Sequence, residues 1–156
     1  MLSIRKLVKT DVTRVWEIRT QAILQTCSSH YSNQIVSAWA SSPMPDGFDE
    51  ILVSLGAVVA EVHGKLVSFG FVDIKKSRLE SLFVDPSCVG LGYGKLIANQ
   101  LLLNAKDAGV EVLALSSSLN AVAFYQSIGF EAQQETLWRH PLGFELASVS
   151  MTKAIN

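Results

Sequence analysis

The stretch Val84-Asp85-Pro86-Ser87-Cys88-Val89-Gly90-Leu91-Gly92-Tyr93-Gly94-Lys95 constrains this chain more than any other. An extended apolar run stops at Asp85-Pro86, because proline has no N–H for a central ladder. Glycines 90, 92 and 94 then lead into a helix that carries Leu96, Ile97, Leu101, Leu102 and Ala105 and closes at Gly109. Without Cβ atoms the backbone approaches a ligand closely and turns successive amide N–H groups outward. The helix N-terminus adds the positive end of its dipole, so this strand–loop–helix unit favours a phosphate or pyrophosphate. Lys95, just inside, adds a charge-assisted contact.

Other phosphate loops fit less well. A Walker A loop needs glycine where Val89 stands and a hydroxyl where Leu96 stands. A dinucleotide fingerprint needs glycine in place of Lys95 and a βαβ setting, whereas antiparallel strands precede this loop. A turn that only caps a helix does not require three alternating glycines.

Upstream, Ser3 to Val8 reads as a short strand, and Asp11 or Thr10 stands where a helix cap belongs. Val12, Val15, Trp16, Ile18, Ala22 and Ile23 recur at roughly helical spacing. After the polar break Ser28-Ser29-His30, the pattern predicts a second helix over Ser32 to Ala40, a loop over Ser41 to Gly47 and a short helix over Phe48 to Leu55. Val58, Ala60 and Val62 alternate, His63-Gly64-Lys65 turns, and Leu66 to Ile74 is extended again, the pattern of a β-hairpin. Leu79 to Val84 is the next strand. Beyond the glycine loop come a buried strand over Val110 to Leu115, a helix over Asn120 to Ser127 stopped by Ile128-Gly129, and strands around Glu131–Trp138 and Leu146–Met151. Helices and antiparallel strands mix without strict alternation, so the fold class is α+β with one mixed sheet.

A chain of 156 residues suits one domain over 1–156. Hydrophobic residues at 49% and charged residues at 17% describe a well-cored globule rather than a disordered chain. Acidic and basic residues nearly cancel, 14 against 13, which argues against nucleic acid or an anionic membrane as the main partner. Met1 to Lys6 has no apolar secretory region and no run approaches the ~20 residues of a bilayer span, so a soluble, cytoplasmic protein is expected. Cys27 and Cys88 lack CxxC spacing and read as reduced thiols. His30, His63, His140 and the two cysteines show no metal-ligand spacing, so no metal is expected.

Leu82-Phe83-Val84-Asp85-Pro86 followed by Gly90-x-Gly92-x-Gly94-Lys95 resembles motif A of the GNAT superfamily of acetyl-CoA-dependent N-acyltransferases, and Ala121 to Phe130 resembles its motif B. The resemblance is specific over about residues 55–131. It implies a single GNAT-like domain whose mixed, mostly antiparallel sheet is flanked by helices and opens in a V between the strands of Leu79–Val84 and Val110–Leu115. Acetyl-CoA is then the cosubstrate. Its pantetheine and acetyl carbonyl face Leu82, Phe83 and Val84, and its pyrophosphate faces Gly90, Leu91, Gly92, Tyr93, Gly94 and Lys95. Val89 departs from the family, which commonly has Gln or Arg there; a polar side chain is lost, but no backbone donor.

Acyl transfer from a thioester to an amine needs a neutral amine, a polarised carbonyl and a proton for the leaving thiolate. Tyr125 matches the motif-B tyrosine that the family uses as that proton donor; a core tyrosine beside Phe124 is the plainer alternative. Glu80, on the strand leading to the acetyl site, is the candidate base, directly or through water, with its facing undetermined because side chains alternate along a strand. Ser118 stands where many relatives carry a pantetheine-binding Asn, and Asn120 is a nearby alternative; helix capping is the better reading of either. His30 and Tyr31 fall in the region that shapes acceptor pockets, as do Trp39, Trp138 and His140, with polar capping and rim packing as alternatives. The implied partner is a primary amine on a small molecule or peptide, attacked in a ternary complex. A non-catalytic acyl-CoA-binding sensor is the alternative of a different class, and homodimer formation through Trp138–Gly143 and Leu146–Met151 stays open.

Overall fold

The computed structural model describes residues 1–156. The alternating residues between Val58 and Val84 form an antiparallel meander of β2 (Val58–Val62), β3 (Lys65–Asp73) and β4 (Arg78–Val84). His63 and Gly64, both at positive φ (50° and 79°), make the two-residue turn whose twist matches the strands it joins. β1 (Leu2–Lys6) pairs with the far side of β2. On the other flank, β5 (Val112–Ser118) runs parallel to β4, and β7 (Glu145–Ala154) lies between β5 and β6 (Glu131–Arg139). The seven-stranded sheet has the order β1-β2-β3-β4-β5-β7-β6, and β4–β5 is its parallel pair. This is the mixed α+β class read from the sequence.

The pleat sends neighbouring residues to opposite faces, and each face has its own core. Val59, Phe69 and Phe71 pack with Val15 and Ile18 of α1 (Val12–Thr26) and Leu52 of α3 (Phe48–Ser54). Val58, Ala60 and Val67 pack on the other face with Ile97, Leu101 and Ala105 of α4 (Tyr93–Asp107) and Tyr125 of α5 (Val122–Ser127). A Cβ on Gly70 would sit 2.9 Å from both Leu101 Cδ1 and the Ser81 carbonyl, so this glycine lets α4 lie flat on the sheet. Leu101 is fully enclosed there, and Leu101→Ala would cost about 2–5 kcal/mol. α2 (Asn33–Ala40) completes the α1 side; its cap, Ser32, accepts from the Ile35 amide at 3.2 Å.

Several boundaries differ from the sequence reading. Val110 does not begin β5. Its amide bonds the Ala105 carbonyl (3.0 Å) and that of Gly109 the Lys106 carbonyl (3.0 Å), the Schellman closure of α4, so an apolar residue that looks like strand seals a helix end. Asp11 stands at the N-cap position of α1 without a side-chain cap hydrogen bond, and Thr10 lies one residue earlier in a 3-10 turn over Lys9–Asp11. The Asp11 carboxylate instead accepts from Arg5 (2.8 and 3.0 Å) and from the Val8 amide (2.8 Å), which fixes α1 to β1. No helix is long and apolar enough to cross a membrane.

Candidate active site

β4 and β5 separate where the resemblance requires an opening. They register only at Arg78–Ala114, supported by Ala114 N–H to the Ser77 carbonyl at 2.9 Å. Beyond it, Arg78 Nη2 donates to Ser116 Oγ (3.0 Å) and the ladder ends. The Asp85 amide donates to Val67 O at 2.8 Å. Alternation along an antiparallel pair then turns the amides and carbonyls of Leu82 and Val84 away from β3, toward the split. The Phe83 backbone faces β3, its carbonyl accepting from Ser68 Oγ at 2.8 Å, while the residue still lines the cavity between β4 and β5.

At Glu80 the strand alternation is interrupted. Ser81 pairs with Phe71 and Leu79 with Val72, so Glu80 is an extra residue on β4 without a partner on β3. Such a bulge re-aims its side chain independently of strand alternation. Glu80 lines a cavity of about 420 Å³ in the split, together with Leu82, Ser118 and Tyr125. Its one ionic contact is Arg78, at 3.3 Å on a partly exposed surface, which adds little stability.

Arg19 and Trp39 line the same cavity from the α1–α2 face, whereas Tyr125 belongs to the α4–α5 face. The cavity therefore passes through the sheet and opens to both layers. Tyr125 is only 8% exposed and lies edge-on to Phe124 and Phe130 (ring centroids 5.2 and 5.8 Å). Burial pushes its pKa well above the usual phenol range. Its hydroxyl makes no hydrogen bond within the chain, so a neutral donor is held without a protein acceptor.

At the α4 end of the opening, Gly90 and Gly92 have φ of 86° and 85°, with open space where a Cβ would stand. The first helical bond of α4 runs from the Leu96 amide to the Gly92 carbonyl (3.1 Å). The amides of residues 90 to 95 have no acceptor in the chain, which leaves six consecutive unpaired N–H groups at a helix N-terminus. Gly94 differs from its two neighbours. A Cβ there would meet Val84 Cγ2 at 3.2 Å and Phe124 Cζ at 3.5 Å, so this glycine sets the close packing of α4 against β4 and α5. The loop is anchored from behind by Asp85, which accepts from Ser87 N (2.9 Å), Ser87 Oγ (2.8 Å) and Arg14 of α1. Burial alone would raise the Asp85 pKa; these bonds outweigh it and hold the carboxyl below its ordinary value.

The other predicted residues divide. Ser118 lines the cavity, and its side chain caps nothing. Asn120 does not line it, and its buried Oδ1 has no partner. Tyr31 lines the cavity with its ring, but its hydroxyl bolts the structure together, donating to Ala147 O (2.6 Å) and accepting from Leu119 N (3.0 Å). His30 lies outside, exposed in the α1–α2 turn against Ser29 Oγ (2.7 Å). Leu91 and Lys95 are exposed on the loop, and Tyr93 is half-buried beside the α4 core. Trp138 reaches the cavity, whereas His140 stacks on Phe144 and meets Ser42 Oγ at 3.2 Å. Sequence reading missed Arg19. Its signal was a charge set inside the apolar stripe of α1, between Ile18 and Ala22.

A family model for the acetyltransferase (GNAT) domain matches residues 27–144. YafP, an uncharacterized N-acetyltransferase of Escherichia coli K12, is 26% identical over 134 residues, covering 86% of this chain and 84% of that protein. The crystal structure of a GCN5-related N-acetyltransferase from Rhodopseudomonas palustris superimposes with a TM-score of 0.90 at 25% identity, over 97% of this chain and 94% of the other. The putative acetyltransferase yncA of Salmonella typhimurium, solved with acetyl-CoA, shares the fold at a TM-score of 0.71 and 21% identity, over 100% and 95% of the two chains.

Proposed function

The chain belongs to the GNAT acetyltransferase family, and from that premise we propose that residues 1–156 act as one N-acetyltransferase domain, moving an acetyl group from acetyl-CoA to a primary amine by direct attack. The observation that carries this reading is the row of six unpartnered amides at residues 90 to 95, set beside a sheet that has parted. Those amides and Lys95 bind the pyrophosphate. The free edge of β4 at Leu82 and Val84 pairs with the pantetheine amides as an added strand would, and Ser118 Oγ lies across the split from it. The residues present thus fit the cosubstrate at its anionic end and along its amide-bearing arm.

The thioester supplies an activated carbonyl; the chain supplies orientation and proton handling. The acceptor enters from the α1–α2 face, because α4, α5 and the glycine loop occupy the other. A primary ammonium must lose a proton before it attacks, and Glu80 takes it directly or through one water. The β4 amides facing the split stabilise negative charge on the carbonyl oxygen as the carbon becomes tetrahedral. Tyr125 donates its hydroxyl to the departing sulfur. Burial raises its pKa, so the phenol works as a hydrogen-bond donor to the sulfur, and the thiolate takes up the proton that the nitrogen sheds as the amide forms.

A thiol-release assay with acetyl-CoA over aminoglycosides, polyamines, amino acids and peptide N-termini tests this reading. Turnover with one amine class, alongside calorimetric binding of coenzyme A, is the expected result. Binding without thiol release across the panel would make the protein an acyl-CoA sensor, and absence of binding would remove the premise about the loop.

A further inference from the structure

Arg19 is the one charged group in the cavity without an opposing charge. It sits on α1, 8% exposed, with its guanidinium 4.3 Å from the Trp16 ring centre. Nη1 donates to Ala40 O (3.1 Å) and Thr20 Oγ1 (3.4 Å), and Nη2 to Trp39 O (2.7 Å). Of the five N–H groups on a guanidinium, that of Nε and one of Nη2 have no acceptor in the chain. No carboxylate pairs with it; the ion pairs of the chain involve Arg5, Lys9, Arg14 and Arg78. The other charged residues lining the cavity, Arg78 and Glu80, pair with each other, so the Arg19 charge is left over. Nearby His140 has its pKa lowered, by burial first and then by the field of Arg19, so it adds no compensating charge. A buried cation without an anion is expensive to hold, and the carbonyls at the end of α2 offset that only in part.

Resting on the reading above, we propose that the acceptor amine carries a carboxylate, and that Arg19 recognises it from the α1–α2 face of the cavity. The planar fork presents its two unused N–H groups on nitrogens that share one edge, the arrangement that pairs with both oxygens of a carboxylate. Trp39 and Trp138 beside it offer apolar walls for the segment between amine and acid.

The test compares ω-amino acids with their matching carboxamides in the thiol-release assay, with rates referred to the free-amine fraction. The wild-type protein is expected to favour the carboxylates by about 10- to 100-fold in kcat/KM, chiefly through KM. Arg19→Gln should bring that ratio near unity while calorimetric acetyl-CoA binding is retained. A purely structural role for Arg19 would instead lower both members of each pair together. Should Arg19→Gln fail to fold, Arg78→Gln removes the only other cation lining the cavity; survival of the preference leaves Arg19 as its source, and its loss overturns the assignment. Turnover of amines with no carboxylate preference in the wild-type protein overturns the proposal while leaving acetyl transfer intact. No thiol release with any amine refutes the underlying reading instead.

Discussion

The two faces of the sheet meet at one cavity, yet they are built for recognition in different ways. On the α4–α5 face, main-chain groups are offered: the amides of residues 90 to 95 and the free edge of β4 at Leu82 and Val84. On the α1–α2 face, side chains are offered: Arg19, Trp39 and the ring of Tyr31. Main-chain recognition restrains the sequence only where a Cβ or a φ matters, so it suits a ligand that never changes. Side-chain recognition changes with every substitution, so it suits an acceptor that does. Arg14 of α1 joins the two by reaching Asp85 behind the glycine loop.

The comparison fails if the catalytic donor sits on the wrong face. Tyr125→Phe removes one hydroxyl on which no hydrogen bond of the chain acts and keeps the packed ring, so folding should be kept. We expect kcat to fall by about 100-fold, the low end for loss of a positioned proton or hydrogen-bond donor. The acetyl-CoA dissociation constant should stay within about twofold, a change too small to signal a lost contact. Steady-state kinetics beside calorimetry reads this directly, and full turnover in the variant would make Tyr125 a packing residue only.

The next largest effect concerns the loop. Gly92→Val puts a β-branched residue at a φ of 85°, a strain of ~2 kcal/mol that the loop relieves by turning its amides elsewhere. Acetyl-CoA affinity should drop by about 30-fold with the far-UV spectrum unchanged. If affinity holds, the pyrophosphate is bound by something other than these amides.

What the sequence made legible follows the same division. Gly90 and Gly92 were readable because backbone chemistry leaves few residues to choose from at those positions, whereas Tyr125 came only from its resemblance to motif B. The direction of Glu80 was not, because a bulge breaks the period on which strand reading depends. Arg19 was not either, since its burial is created by α2 docking some twenty residues later, at Trp39 and Ala40. Asp11 misled for a related reason: a capping residue type was taken by Arg5, a partner that only the fold brings near. Val110 read as strand because its apolar character belongs equally to a helix closure.

Acid unfolding sharpens the coupling between the faces. Hydrogen bonds from Arg5 lead in holding the Asp11 pKa low, although burial alone would raise it. Asp85 is also held low, there against burial as the largest influence. Each carboxylate has a lower pKa folded than unfolded, so the stability each contributes is present above the unfolded value of ~3.9 and is lost as pH falls through the folded value. Asp11→Ala should cost about 2 kcal/mol at pH 7, the worth of a hydrogen-bonded charged partner. It should also flatten the acid limb of the stability curve. Urea unfolding between neutral and strongly acidic pH checks both; an unchanged acid limb would mean the Arg5 pair does not anchor α1.

The smallest effect separates the faces most cleanly. The Tyr31 hydroxyl both donates to Ala147 O on β7 and accepts from Leu119 N, holding the α1–α2 turn against the far wall of the cavity. Tyr31→Phe keeps the ring and its edge-on contact with Trp39, whose centroid lies 5.8 Å away. Only the two hydrogen bonds go, for a loss of about 1.5 kcal/mol in stability. Nothing on the glycine loop touches Tyr31, so acetyl-CoA binding should be unaffected while KM for the amine rises several-fold, to about the extent that a loosened wall misplaces the acceptor. An equal rise in both Michaelis constants would show that the faces are not independent, because Leu119 leads directly into α5 and would be carrying the disturbance to Tyr125.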